Sequence, residues 1–127
     1  MSELSEIYKK RTLAFAVNTL RLIDRLPRTT SGYVVARQLA KSATSIGANY
    51  RASCIARSRD EFIAKLGVVV EEADEAIYWF ELITAANLLR ATEVRALLIE
   101  GAELRAIFGK SLGTARLNRH VNNQITR

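Results

Sequence analysis

The chain holds a single proline, Pro27, and then runs 100 residues to its end without another. An interior proline removes a helical hydrogen bond and clashes with the preceding turn, so its absence over this length favours long helices. Apolar and small residues fall at alternating spacings of three and four, which is one helix face, and they divide the chain into four segments. The first spans about residues 5–26, with Tyr8, Thr12, Phe15, Thr19, Leu22 and Leu26 on its inner stripe. After a loop rich in turn and capping residues, the second spans about 33–57, with Val35, Leu39, Ser42, Ile46 and Ser53 on one seam. Beside that seam lie Ala36, Ala40, Ala43 and Gly47, small enough to let a neighbouring backbone approach closely, followed by Tyr50 and Cys54.

Ser58 followed by Glu61 reads as a capping box opening a third helix over about 59–87, whose core stripe is Phe62, Leu66, Val69, Ala73, Ala76, Phe80 and Ile83. Thr92 is the expected N-cap of a fourth helix over about 92–117, with Leu97, Gly101, Leu104, Phe108, Ser111 and Ala115 facing inward. The tail, 118–127, is polar and expected to fray. Four such helices with short loops predict one all-α domain over 1–127, an antiparallel up-and-down four-helix bundle. At 127 residues and 49% hydrophobic, the chain suffices for one core and not for two ordinary domains. No apolar run approaches a membrane span and no signal-peptide pattern opens the chain, so a cytoplasmic location is expected.

Two helices carry more apolar surface than one bundle needs. Leu13, Val17 and Leu20 lie nearly opposite the first helix's inner stripe, and Val68, Trp79 and Leu82 point away from that of the third. Contiguous apolar surface of this kind usually marks an interface, so self-association is expected there.

Charge is uneven. Residues 1–59 carry 11 Lys/Arg against 3 Asp/Glu, residues 60–89 carry 1 against 7, and residues 90–127 carry 7 against 3, for a net +6. Arg37, Lys41 and Arg51 share the outer surface of the second helix, and Arg21 and Arg25 form an i,i+4 pair on the first. Such stripes neutralise phosphates, which makes nucleic acid a candidate partner. No aromatic residues interleave with them, so stacking on single strands is not indicated.

Chemistry finds no support. The acids of the third helix, Glu71, Glu72, Asp74, Glu75 and Glu81, invite a di-iron reading, but the chain has one histidine, His120, and no Glu-x-x-His. Those acids are expected to pair with arginines and lysines of neighbouring helices or subunits. Ser42, Ser45 and Cys54 have no histidine within helical reach to activate them. One cysteine excludes an internal disulfide, and Cys54 reads as a small buried hydrophobe. No catalytic residue, cofactor, metal or small-molecule substrate is expected, and the chain reads as a non-enzyme.

The run Ser42-Ala43-Thr44-Ser45-Ile46-Gly47-Ala48-Asn49-Tyr50-Arg51, then Ala56-Arg57-Ser58 and Asp60-Glu61-Phe62-Ile63-Ala64-Lys65-Leu66-Gly67, resembles the signature of the four-helix-bundle proteins encoded in bacterial 23S rRNA intervening sequences. Glu71-Glu72-Ala73-Asp74-Glu75-Ala76-Ile77-Tyr78-Trp79-Phe80-Glu81-Leu82 continues the match, which is dense over residues 37–83. Ala52 departs from the family, where many members carry Glu, and leaves the second helix more basic. The resemblance implies a homopentamer of up-and-down bundles. It also implies a likeness to the accessory proteins of diversity-generating retroelements, basic pentameric bundles that engage nucleic acid and a reverse transcriptase. It brings no catalytic residues. The expected function is a non-enzymatic oligomeric bundle that binds RNA or DNA through a basic surface as an accessory or scaffold. The alternative is a protein-protein interaction scaffold that binds no nucleic acid.

Overall fold

The computed structural model describes residues 2–125, with side chains for 2–120. It contains four helices: α1 Glu3–Ile23, α2 Thr30–Cys54, α3 Arg59–Ala85 and α4 Ala91–Ile125, with no strand among the described residues. They pack as an antiparallel bundle. α2 lies against α1 and α3, α3 against α4, and α1 meets α4 more sparingly. No described helix is long and apolar enough to cross a membrane.

Most of the inner stripes fall where helical spacing puts them, but at the start of α3 it is Ile63 that is buried and Phe62 only half-buried. Leu39, Ala43 and Ile46 of α2 and Val69, Ala73, Ala76, Phe80 and Ile83 of α3 have no exposed surface. Phe15 meets Phe80 edge to face at 6.1 Å, joining α1 to that centre. The hydroxyls on these stripes are buried without penalty because each donates to a carbonyl of its own helix. Thr12 bonds Tyr8 at 2.8 Å, Thr19 bonds Phe15 at 2.7 Å and Ser53 bonds Tyr50 at 2.6 Å. In α4 the inward residue is Leu112, not Ser111, which is exposed.

Helix ends differ from the sequence expectations for identifiable reasons. α1 starts early because the Ser2 hydroxyl accepts from the Ser5 N–H, and it closes at Ile23 through tighter i→i+3 bonds before Pro27. α2 starts at Thr30 because Thr29 caps it, accepting from Gly32 N–H at 3.1 Å. Gly32 is required there, since a Cβ would lie 1.9 Å from the Pro27 carbonyl oxygen. Ser58 caps α3 as expected. α3 ends in a Schellman motif: Asn87 takes a left-handed φ of 57°, Leu88 N–H bonds the Ile83 carbonyl and Asn87 N–H bonds that of Thr84. Thr92 is not the cap of α4. That position falls to Arg90, whose N–H donates to the Glu93 carboxylate at 2.8 Å. The expected frayed tail is instead helical to Ile125, and Arg119 pairs with Asp60 of α3 at 3.1 Å. Residues 126 and 127 of that tail lie outside the described residues.

The third-helix acids and the α3 apolar stripe also fall differently. Val68, Trp79 and Leu82 are half-buried, and Trp79 and Leu82 pack on the margin of the core instead of standing open. Glu72 shares their flank, and two buried polar atoms there, Glu72 Oε2 and Trp79 Nε1, lack a hydrogen-bond partner among the described residues. Burial pushes the Glu72 carboxyl above the usual carboxylate range, with Glu75 and Glu71 adding to the shift and Lys41 opposing it.

This packing sets opposite expectations for two positions. Leu39→Ala should lower the unfolding free energy by about 2–5 kcal/mol, read from urea titration, since Leu39 is wholly enclosed. Glu72→Gln should act the other way. The folded state favours the protonated Glu72, so its ionisation costs stability that sets in as pH rises above the ordinary value of 4.5. The variant should therefore unfold at higher urea than the parent at pH 8, and the gap should close at pH 4. A variant less stable at pH 8 would show that the ionised carboxylate is satisfied.

Candidate nucleic-acid interface

α2 contains no Asp or Glu, and its core stripe fixes which residues face out. With Leu39, Ala43 and Ile46 turned inward, Arg37, Lys41, Thr44, Ala48 and Arg51 form one exposed row along the opposite side. Thr44 and Ser45 donate to the Ala40 and Lys41 carbonyls at 2.7 and 2.6 Å, so the hydroxyls of this side are occupied by their own helix. None of Arg37, Lys41 and Arg51 forms an ion pair among the described residues. Lys41 acts on Glu72 at longer range.

The α1 cations divide. Arg21 is exposed and unpaired among the described residues, whereas Arg25 pairs with Glu93 of α4. Arg11 is committed too. Its guanidinium grips Glu100 through two 2.8 Å bonds and meets Glu103 at 2.7 Å, which holds it charged beyond the ordinary arginine range despite partial burial. Of the five α3 acids expected to pair, Asp74 does so with Arg105 at 2.6 Å, and Asp60, which is not among them, pairs with Arg119. Glu71, Glu75 and Glu81 stay exposed without an ion pair among the described residues, alongside exposed Tyr78.

The structure joins two features that the sequence keeps apart. Leu13, Val17 and Leu20 are 53%, 37% and 42% exposed. They face α2 across a groove of about 310 Å³ whose far wall includes Thr44, Ala48 and Arg51. At its floor a Cβ on Gly47 would come within 3.1 Å of Thr12 Oγ1, so the two helices approach closely there. The open apolar stripe and one end of the basic row are thus a single surface.

Sequence reasoning did not foresee the aromatic cluster at the other side of the α1 start. Tyr8 meets Phe108 at 5.6 Å and Tyr50 at 6.2 Å, and Tyr50 meets Phe108 at 5.0 Å. Helical spacing places each of them on an inner seam, but they come from three helices, so local spacing does not show that they meet. Burial pushes the Tyr50 phenol upward, with Cys54 and then Tyr8 and Glu6 adding to it. Cys54 is half-buried against the core. No group of three or more His, Cys, Asp or Glu residues among those described is arranged to hold a metal ion.

No curated protein is significantly similar to the chain. The profile of the 23S rRNA-intervening sequence protein family matches residues 5–110. A crystal structure of a protein of unknown function from the S23 ribosomal protein family of Bacteroides thetaiotaomicron superposes with a TM-score of 0.76. It is 31% identical, and the match covers 82% of this chain and 96% of that one. The similarity reaches all four helices and extends over most of both chains, and the chain belongs to the 23S rRNA-intervening sequence protein family.

Proposed function

We propose that this protein is a non-enzymatic, homo-oligomeric helical bundle that binds RNA or DNA through phosphate contacts. The observation that carries the reading is the α2 row. Arg37, Lys41 and Arg51 share one exposed side of a helix that has no acids of its own, and no ion pair among the described residues consumes them. Rigidly spaced cations without base-reading side chains neutralise phosphates and leave sequence unread, so binding is expected to be weakly selective. Arg21 extends the surface on α1, while Arg25 contributes less because Glu93 holds it. Self-association is supported by the exposed Leu13, Val17 and Leu20 stripe, with Val68, Trp79 and Leu82 as the second, partly enclosed contact. The likeness to pentameric accessory bundles makes a homopentamer the preferred assembly, and the cytoplasm is its proposed location.

Mass measurement in solution should then give about five times the 14.2 kDa subunit. Val17→Glu together with Leu20→Glu should shift the population to smaller species without unfolding the bundle, because both side chains are already exposed in one subunit. A monomer at micromolar concentration would remove the oligomer from the proposal.

Nucleic-acid binding is tested by the combined replacement Arg37→Ala, Lys41→Ala and Arg51→Ala. The variant should bind duplex DNA more weakly, and its plot of log affinity against log salt should flatten by roughly 0.9 for each phosphate left without its cation. Unchanged affinity and slope would reject this face. No binding of either nucleic acid at low salt would leave the protein-protein scaffold as the better account.

A further inference from the structure

At the end of the bundle where α1 begins and α2 finishes, a cavity of about 500 Å³ opens between all four helices. None of its described lining residues is charged, although a quarter of the chain is. Its walls are the rings of Tyr8, Tyr50, Phe62 and Phe108, with Ser5 and Ser111 at its edge and Ser53 buried within. Those three hydroxyls donate to the carbonyls of Ser2, Tyr50 and Ile107, so toward a ligand their oxygens can act only as acceptors. An uncharged aromatic slot edged with acceptors suits a flat, neutral ring bearing an N–H donor.

A second groove, of about 670 Å³, adjoins it and shares Phe62 and Ser111 with it. This one carries two cations. Arg59 at the start of α3 and Lys110 on α4 both line it, with Thr114 and Asn118 beside them. Both cations are exposed and neither forms an ion pair among the described residues. The acids that follow Arg59 in sequence are already engaged, Asp60 with Arg119 at 3.1 Å and Glu61 with Arg57 at 3.6 Å. Glu6, on the α1 side of the aromatic slot, is held by Lys9 at 3.2 Å.

An aromatic slot continuous with a dicationic groove is the arrangement that takes a base and its phosphate together. We propose that this end of the bundle is a nucleotide-binding site. An unstacked base enters the aromatic slot against Phe62 and Tyr8, and its phosphate lies between Arg59 and Lys110. The site uses none of the α2 row and goes beyond the backbone reading, which needs no base contact. The same chemistry is offered by a free mononucleotide and by an unpaired nucleotide of a single strand.

The test uses the full chain and adenosine 5′-monophosphate, whose amino group matches the serine acceptors, followed by saturation-transfer NMR and calorimetry. Saturable binding should be seen with the nucleotide, and inorganic phosphate alone should not compete at equal concentration. Arg59→Glu with Lys110→Glu should weaken binding by roughly tenfold or more, as expected when both phosphate partners are removed. Phe62→Ala removes a ring that also packs on the core, so Ser111→Trp serves as the second variant. Ser111 is exposed, and an indole there fills the mouth of the slot without entering the core. It should abolish binding with the unfolding midpoint unchanged. Combined replacement of Arg37, Lys41 and Arg51 by Ala should leave mononucleotide binding intact, which separates this site from the α2 surface. A short adenine oligonucleotide that binds more tightly than the monomer, and is equally sensitive to Ser111→Trp, identifies a strand as the source. Equal affinity identifies the free nucleotide. Absence of saturable binding to millimolar nucleotide, or binding indifferent to Ser111→Trp, overturns the proposal.

Discussion

The rotation of α2 about its own axis fixes most of what this molecule can do. Leu39, Ala43 and Ile46 are enclosed completely, and Gly47 lets α1 come close at Thr12. Turning α2 by a quarter turn would expose leucine and isoleucine and push arginine into the core, so the position is strongly held. With it settled, Arg37, Lys41 and Arg51 have nowhere to lie but outward. A surface row of cations is therefore a by-product of apolar packing on the opposite side of the same helix. The same holds for α3: enclosing Val69, Ala73, Ala76 and Phe80 leaves Glu71, Tyr78 and Glu81 outside and places Glu72 and Trp79 on the shoulder between.

The distribution of ion pairs then decides which cations remain available. Arg11 binds Glu100 and Glu103, Arg25 binds Glu93, Arg105 binds Asp74 and Arg119 binds Asp60. Each of these joins residues far apart in the chain, and α4 takes part in every one. Exposed pairs contribute little stability individually, so their larger consequence is electrostatic. They cancel charge on the α1–α4 and α3–α4 sides, whereas α2 has no acid and keeps all three of its exposed cations unpaired among the described residues.

The bundle and its inner stripes were legible because they rest on local periodicity. One proline, spacings of three and four, and the Ser58 cap give the helix count and most of the enclosed residues of α2 and α3. What local patterns miss depends on distant partners or on competing local chemistry. Thr92 has the better capping side chain, yet Arg90 holds the position because Glu93 reaches back to its N–H. Asn87 closes α3 by adopting a conformation that glycine more often supplies. The polar tail continues as helix with Arg119 anchored on Asp60, a partner 59 residues away. Trp79 points outward on a helical wheel, but the wheel assumes a narrow core and this one is broad enough to cover part of the indole. The aromatic cluster of Tyr8, Tyr50 and Phe108 was invisible for a plainer reason: its members are scattered over the chain and meet only when the helices assemble.

On the proposed reading, the adjacency of the apolar groove and the basic row has an energetic consequence. Burying Leu13, Val17 and Leu20 against another copy brings Arg51, on the rim of the same groove, near the next subunit's surface. Subunits of charge +6 repel one another, and at 0.1 M salt the repulsion still acts over roughly 10 Å. Apolar burial drives assembly and the basic row opposes it. A polyanion lying along the row removes the opposing part, so it binds the assembled state better than the separate subunits. Linkage makes this reciprocal: whatever strengthens assembly strengthens binding by the same factor. The two functions assigned to the α1–α2 side are then one coupled equilibrium.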